Sequence, residues 1–128
     1  MKAVFDASAL LAALFAEKGM DVVMAHLEEG AISAINLAEV ATRLVEKGEG
    51  IADARGRIAM YGLLPIPVDV DLAWRAAELR PVSRAFGLSL GDRICLALAM
   101  RENVPVLTAD RAWRELQIGV EIKLIRNA

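Results

Sequence analysis

Short apolar runs alternate along this chain with stretches of helical spacing, and the alternation does not break from end to end. Strands are predicted over 2–6, 31–35, 65–68, 104–108 and 120–125. Helices are predicted over 7–17, 20–29, 36–47, 51–63, 71–80, from Ser89 through Met100, and over 111–116. Strand–helix alternation of this kind demands a mainly parallel sheet covered by helices on both faces, because crossovers between parallel strands carry the helices. The strand runs are near-continuous rather than alternately polar, as strands buried on both sides must be. Pro65 and Pro67 cannot donate to a ladder, so their strand belongs at an edge or an end. Asn36 is read as the N-cap of the third helix and Asp71 as that of the fifth, with Pro81 stopping it.

At 128 residues the chain has the size of one domain, 1–128, and can build a core without metal or disulfide support. Its apolar share of 56% is carried by Ala, Leu, Val and Ile, which excludes disorder. A net charge of −2 excludes a protein held on nucleic acid by bulk positive charge. The apolar stretch from Ala7 to Ala16 is about half of the roughly 20 residues a membrane span needs, and no basic segment precedes it. A single cysteine, Cys95, and a single histidine, His26, leave neither a disulfide nor a zinc site, in keeping with a reducing cytoplasm. Cys95 is expected in the core and His26 on a helix face.

Four acids fall at the ends of elements. Asp6 ends the first strand, and Glu39 lies in the first turn of the helix after the second. Asp92 lies in the first turn of the helix opened by Ser89, and Asp110 follows the fourth strand by one residue. In an open parallel sheet these positions share one edge, where ligands bind. Carboxylates gathered there repel and raise one another's pKa values unless a multivalent cation neutralises them. Oxygen donors without His or Cys select Mg²⁺ or Mn²⁺. Ser8 and Thr108, each two residues from an acid, are placed to orient carboxylates.

Each acid taken alone also has a purely structural reading. Asn36–Glu39 and Ser89–Asp92 match the capping-box pattern, and Asp110 can cap the helix that follows it. Asp6 is the exception, since a carboxylate beside an apolar strand is costly unless paired or metal-bound.

The segments Val4-Phe-Asp6-Ala-Ser8-Ala-Leu10, Ile35-Asn36-Leu-Ala-Glu39-Val40, Leu88-Ser-Leu-Gly-Asp92-Arg93 and Val106-Leu-Thr108-Ala-Asp110-Arg111 resemble, in order, the motifs of PIN-domain endoribonucleases, above all the VapC toxins of toxin–antitoxin pairs. The resemblance covers essentially the whole chain. It implies a three-layer α/β/α sandwich and an acidic pocket for one or two Mg²⁺ or Mn²⁺ ions, with hydrolytic cutting of RNA. Asp6, Glu39, Asp92 and Asp110 would be the catalytic and metal-holding set, with Ser8, Asn36 and Thr108 as polar support. One position departs from the pattern: family members often carry another acid two residues after Asp110, where this chain has Ala112, which puts a second metal site in doubt.

Arg93, Arg84 and Arg43 are the basic residues nearest the motifs and the candidates for RNA phosphate contact. The resemblance also implies a VapB-like antitoxin as partner, and the surplus of Ala and Leu is expected to support a homodimer. The helices carrying 10–15 and 51–63 are the candidate interfaces. A housekeeping RNA-processing PIN nuclease is the nearest alternative. A phosphoacceptor receiver module is the more distant one, and it wants an acidic pair after the first strand and a lysine after the last, whereas Lys123 falls inside the final strand.

Overall fold

The computed structural model describes residues 1–126. In chain order its elements are β1 (Ala3–Phe5), α1 (Ala7–Leu14), α2 (Met20–Ala25), β2 (Gly30–Ser33), α3 (Ala34–Glu46), α4 (Ile51–Ala59), β3 (Leu64–Ile66), α5 (Val70–Glu78), α6 (Arg80–Ser83), α7 (Leu90–Glu102), β4 (Val106–Thr108) and β5 (Ile122–Leu124). Short 3₁₀ turns follow α6 at Arg84–Phe86 and β4 at Arg111–Glu115. All strand pairings are parallel, in the order β3-β2-β1-β4-β5.

Strand residues separate between the two faces with the period of two that the pleat imposes. Val4 and Val106 pack under α5 and α7, together with Leu72, Ala76, Leu96 and Trp113. Ala3, Phe5 and Leu107 face the other way, under α1 and Val23 of α2. Ile32 joins Leu10, Val40, Leu44 and Ala54 where α1, α3 and α4 meet. The result is the expected sandwich, with a parallel sheet between helical layers. β3 is an edge strand, one of the two places its Pro65 allows, and Pro67 lies just beyond it. Cys95 is fully buried in the α7 layer. His26 ends α2, with its Nδ1 2.8 Å from the Val22 carbonyl.

The order of the strands sets the place of the site. From β1 the chain steps outward to β2 and β3, and then β4 returns to the far side of β1. The strand order therefore reverses between β1 and β4, and a crevice opens above their carboxyl ends at such a reversal.

Several local expectations are corrected. The third helix starts at Ala34, two residues before Asn36, because the Ser33 hydroxyl accepts from the Asn36 N–H at 3.1 Å and takes the cap. Asn36 is thereby buried inside the helix, and Glu39 falls in its second turn rather than its first. Asp69, not Asp71, caps α5 through Leu72 N at 2.8 Å, while Asp71 pairs with Arg75 and Arg101. Pro81 opens the short helix α6, where its missing N–H costs nothing, instead of closing α5. β1 stops at Phe5, so Asp6 caps α1 rather than ending the strand. The helices α2 and α4 end earlier than their apolar spacing suggests. Arg57 of α4 pairs with Glu49 and donates to the Leu14 carbonyl at 2.9 Å.

Candidate active site

Asp6 is 4% exposed and stands at the reversal point. Both of its oxygens are held. Oδ1 accepts from the Ser8 hydroxyl at 2.7 Å and from Ala9 N at 2.9 Å. Oδ2 accepts from the Thr108 hydroxyl at 2.5 Å, across from β4. The two hydroxyls are themselves aimed. Ala109 N donates to Ser8 Oγ at 2.8 Å and Asp110 N donates to Thr108 Oγ1 at 3.0 Å, which leaves each hydroxyl proton for the carboxylate.

These bonds favour the charged form of Asp6, but burial outweighs them and lifts its pKa from 3.8 to about 6, with the nearby Asp92 charge pushing the same way. Among the described residues, the groups that act on Asp6 most strongly include no cation. A buried carboxylate in that position costs the fold stability at neutral pH. Cys95, one turn after Asp92, lies in the same field. Its thiol is pushed well up by burial, then by Asp6, Asp92 and Glu39.

Glu39 reaches the site from α3. Asn36 Nδ2 donates to its Oε1 at 2.6 Å and also approaches the Gly91 carbonyl at 3.4 Å, tying α3 to the start of α7. The Asn36 side chain is fixed in turn by Ser33 Oγ, which donates to its Oδ1 at 3.0 Å. Asp92 forms a full capping box with Ser89: Ser89 N donates to Asp92 Oδ2 at 2.9 Å, and Asp92 N donates to Ser89 Oγ at 3.1 Å. Asp110 caps the 3₁₀ turn through Ala112 N at 3.0 Å. The structural readings of Asp92 and Asp110 thus hold, while that of Glu39 as a capping-box partner does not.

The expected acids consequently lie in separate hydrogen-bonded groups: Asp6 and the Asp110 N–H meet at Thr108, Glu39 is tied through Asn36 to the Gly91 carbonyl, and Asp92 is bonded to Ser89 while its charge acts on Asp6. Among the described residues, no three His, Cys, Asp or Glu side chains are gathered closely enough to enclose an ion as they stand. Of the three arginines, Arg93 turns away. Its Nη1 donates to the Ala76 carbonyl of α5 at 3.1 Å, and its Nε is buried without a hydrogen-bond partner. Arg43 is exposed one turn beyond Glu39, and Arg84 is exposed in the 3₁₀ turn before α7.

Two contributors escaped the sequence reading. Gly91 gives Glu39 its room, since a Cβ there would stand 2.8 Å from Glu39 Oε1. Ser33 holds Asn36. A glycine in the first turn of a helix, where alanine would be favoured, was the available signal for the first, and a second cap candidate three residues before Asn36 was the signal for the second.

The sequence model of the PIN domain matches residues 3–119. The chain belongs to the PIN-domain family. The match spans nearly all of it, and displaces the receiver reading. A comparison with curated protein sequences returned no match. Among solved structures, this PIN domain is similar to a chain of the toxin–antitoxin complex from Klebsiella pneumoniae, at 24% identity and a TM-score of 0.73, covering 99% of this chain and 100% of that one. It is similar to a chain of VapBC from Rickettsia felis bound to a promoter DNA fragment, at 19% identity and a TM-score of 0.75, covering 97% and 98%. It is also similar to a chain of DNA-bound VapBC from Salmonella typhimurium, at 16% identity and a TM-score of 0.75, covering 98% and 99%. These likenesses establish the fold. Among the described residues, no helix is long and apolar enough to cross a membrane.

Proposed function

We propose that this PIN domain is a divalent-metal-dependent endoribonuclease, that it acts as the VapC-type toxin of a toxin–antitoxin pair, and that a VapB-like protein restrains it. The observation that carries the nuclease reading is Asp6. It is buried at the reversal of the sheet, aimed by two hydroxyls and set against Asp92, with no cation among the groups that act on it most strongly. A fold retains so costly a group for what it binds. The toxin role is supported by likeness over whole chains to components of toxin–antitoxin complexes.

The donor set fits Mg²⁺ or Mn²⁺, being made of carboxylate oxygens with no soft ligand. Asp6 and Asp92 would hold the ion, with Glu39 and Asp110 completing its surroundings directly or through water. Such an ion, when bound, supplies Lewis acidity: a lower pKa for an attacking water and relief of charge on the phosphodiester. Ser8 and Thr108 keep the Asp6 oxygens in place, and Asn36 keeps Glu39 turned toward Gly91. Arg43 and Arg84, both exposed, are the cations offered to the RNA phosphates. No nucleophile from the chain is required, so Cys95 stays a core residue. The same reading takes 1–128 as one domain working in the cytoplasm as a homodimer, with α4, which carries the exposed Ile51, as a candidate interface.

The test compares parent protein and Asp6→Asn on labelled RNA, in Mg²⁺ and in chelator. Cutting by the parent in Mg²⁺ alone, lost in Asp6→Asn, is the expected result. Equal cutting by both proteins, or undiminished cutting in chelator, would overturn the metal mechanism. Growth arrest on induction, relieved by co-expression of the adjacent gene, tests the toxin role. Induction without arrest returns the chain to a housekeeping nuclease.

A further inference from the structure

A groove of about 440 Å³ opens beside Glu39, between α1 and α3. It is lined by the apolar Ala7, Leu11, Ile35 and Ala38 and, along α3, by Glu39, Thr42 and Arg43. Two of the apolar positions are alanines, and Leu11 and Ile35 are only half-buried, so an apolar slot is left unfilled by the chain. Glu39, one of the expected acids, lines the groove, and Arg43, which lines it too, follows one helical turn, about 6 Å, further along α3. Arg43 is exposed and only loosely approached by Glu46, at 4.0 Å, which leaves it able to take an anion.

An apolar slot lined also by a cation and by one of the expected acids matches a nucleotide: a flat base on the apolar lining and its phosphate on the guanidinium. Resting on the nuclease reading above, we infer that this groove is the subsite for the nucleotide flanking the scissile phosphate of a single-stranded RNA. Leu11 and Ile35 bracket the base, Thr42 offers its hydroxyl to the base edge, and Arg43 holds the phosphate. A partner protein's apolar side chain would fit the slot too, but it gains nothing from the cation or from Glu39.

The test measures binding of a labelled single-stranded oligoribonucleotide of mixed sequence in Mg²⁺, with Ala38→Leu and Arg43→Ala each built into the Asp6→Asn protein. Ala38→Leu fills the slot on an exposed helix position and is expected to leave the unfolding midpoint unchanged while weakening RNA binding roughly tenfold. Arg43→Ala is expected to weaken it similarly and to reduce the slope of log affinity against log salt by roughly 0.7, the loss of one phosphate contact to a single strand; Arg43→Lys restores part of the affinity. In the active background both changes raise KM more than they lower kcat. RNA affinity unaltered by Ala38→Leu overturns the subsite and assigns the slot to another occupant, such as a protein side chain. No RNA binding by the Asp6→Asn protein also overturns it. Failure of the nuclease reading shows itself separately, as cutting that does not depend on Asp6.

Discussion

Thr108 donates to Asp6 across the reversal of the sheet, Oγ1 to Oδ2 at 2.5 Å, while accepting from Asp110 N at 3.0 Å. One hydroxyl therefore joins the ends of β1 and β4 and holds the main chain at a second acidic position, Asp110. Thr108→Val keeps the shape and removes both bonds. It leaves a buried carboxylate oxygen and a backbone N–H short of partners, a loss of about 1–3 kcal/mol. Because that bond favours the charged form, its removal also moves the Asp6 pKa upward. Chemical denaturation and NMR titration of the Asp6 carboxyl in metal-free buffer read the two effects. A stability equal to the parent's would show that the bond does not matter to the fold.

Asp6 also makes stability depend on pH in a definite direction. Its folded-state pKa is raised from 3.8 to about 6, so the folded state holds the proton that the unfolded state has released. Stability contributed this way is fully present below pH 4 and is lost as pH rises through 6, amounting to about 3 kcal/mol once both states are ionised. Asp6→Asn carries no such penalty. In chelator at pH 7.5 it is expected to exceed the parent in stability by about 3 kcal/mol, with the gap closing near pH 4. Denaturation curves across that range check this, and a parent as stable as Asp6→Asn at pH 7.5 contradicts it. Mg²⁺ should narrow the gap at neutral pH by binding the folded parent.

Gly91 divides stability from function in a different way. It occupies the first turn of α7, where alanine is intrinsically better by up to about 1 kcal/mol. Yet the added Cβ would stand 2.8 Å from Glu39 Oε1 and 3.1 Å from Oε2, the movable end of a side chain. Gly91→Ala is thus expected to fold at least as stably as the parent, and to displace the Glu39 carboxylate from its place beside Asn36. RNA cleavage in Mg²⁺ should fall roughly tenfold, the scale on which disturbed supporting contacts act at metal sites. Loss of stability with full activity would mean that the clash falls on something other than Glu39.

What could be read from the sequence was whatever local chemistry determines alone. Five apolar runs separated by helical spacing allow little but a covered parallel sheet, and the prolines at 65 and 67 restrict their strand to an edge or an end position, of which the fold takes the edge. Asp6 stood out because a carboxylate closing an apolar run has no cheap local explanation. Choices between near-equivalent neighbours were not legible. Ser33 and Asn36 both make good caps, and so do Asp69 and Asp71. Asn36 is drawn inward to Glu39 and to the Gly91 carbonyl of α7, whereas Arg101 of α7 contacts Asp69 and Asp71 alike, and Asp71 turns to Arg75 on its own helix. Arg93 misled as well. Its neighbour Asp92 acts on Asp6, but successive residues on a helix face apart, and the Ala76 carbonyl of α5 captures the guanidinium.

Asp92 carries both a structural and a functional reading, and they can be separated by experiment. Its Oδ2 accepts from Ser89 N while Ser89 Oγ accepts from Asp92 N, so the pair caps α7 whatever else it does. Ser89→Ala removes one half of the box at a cost of about 1 kcal/mol and leaves the carboxylate charge in place. Asp92→Asn keeps an oxygen for Ser89 N and relieves Asp6 of a neighbouring charge, so it should cost less than Ser89→Ala. If Asp92 is only a cap, activity will follow stability, and Ser89→Ala will be the more damaged enzyme. If it is a metal ligand, the order inverts: Ser89→Ala keeps most of its Mg²⁺-dependent cleavage, while Asp92→Asn, the more stable protein, loses it. Urea midpoints and initial rates on one RNA substrate, measured side by side, give the answer, and parental activity in Asp92→Asn would remove it from the metal-holding set.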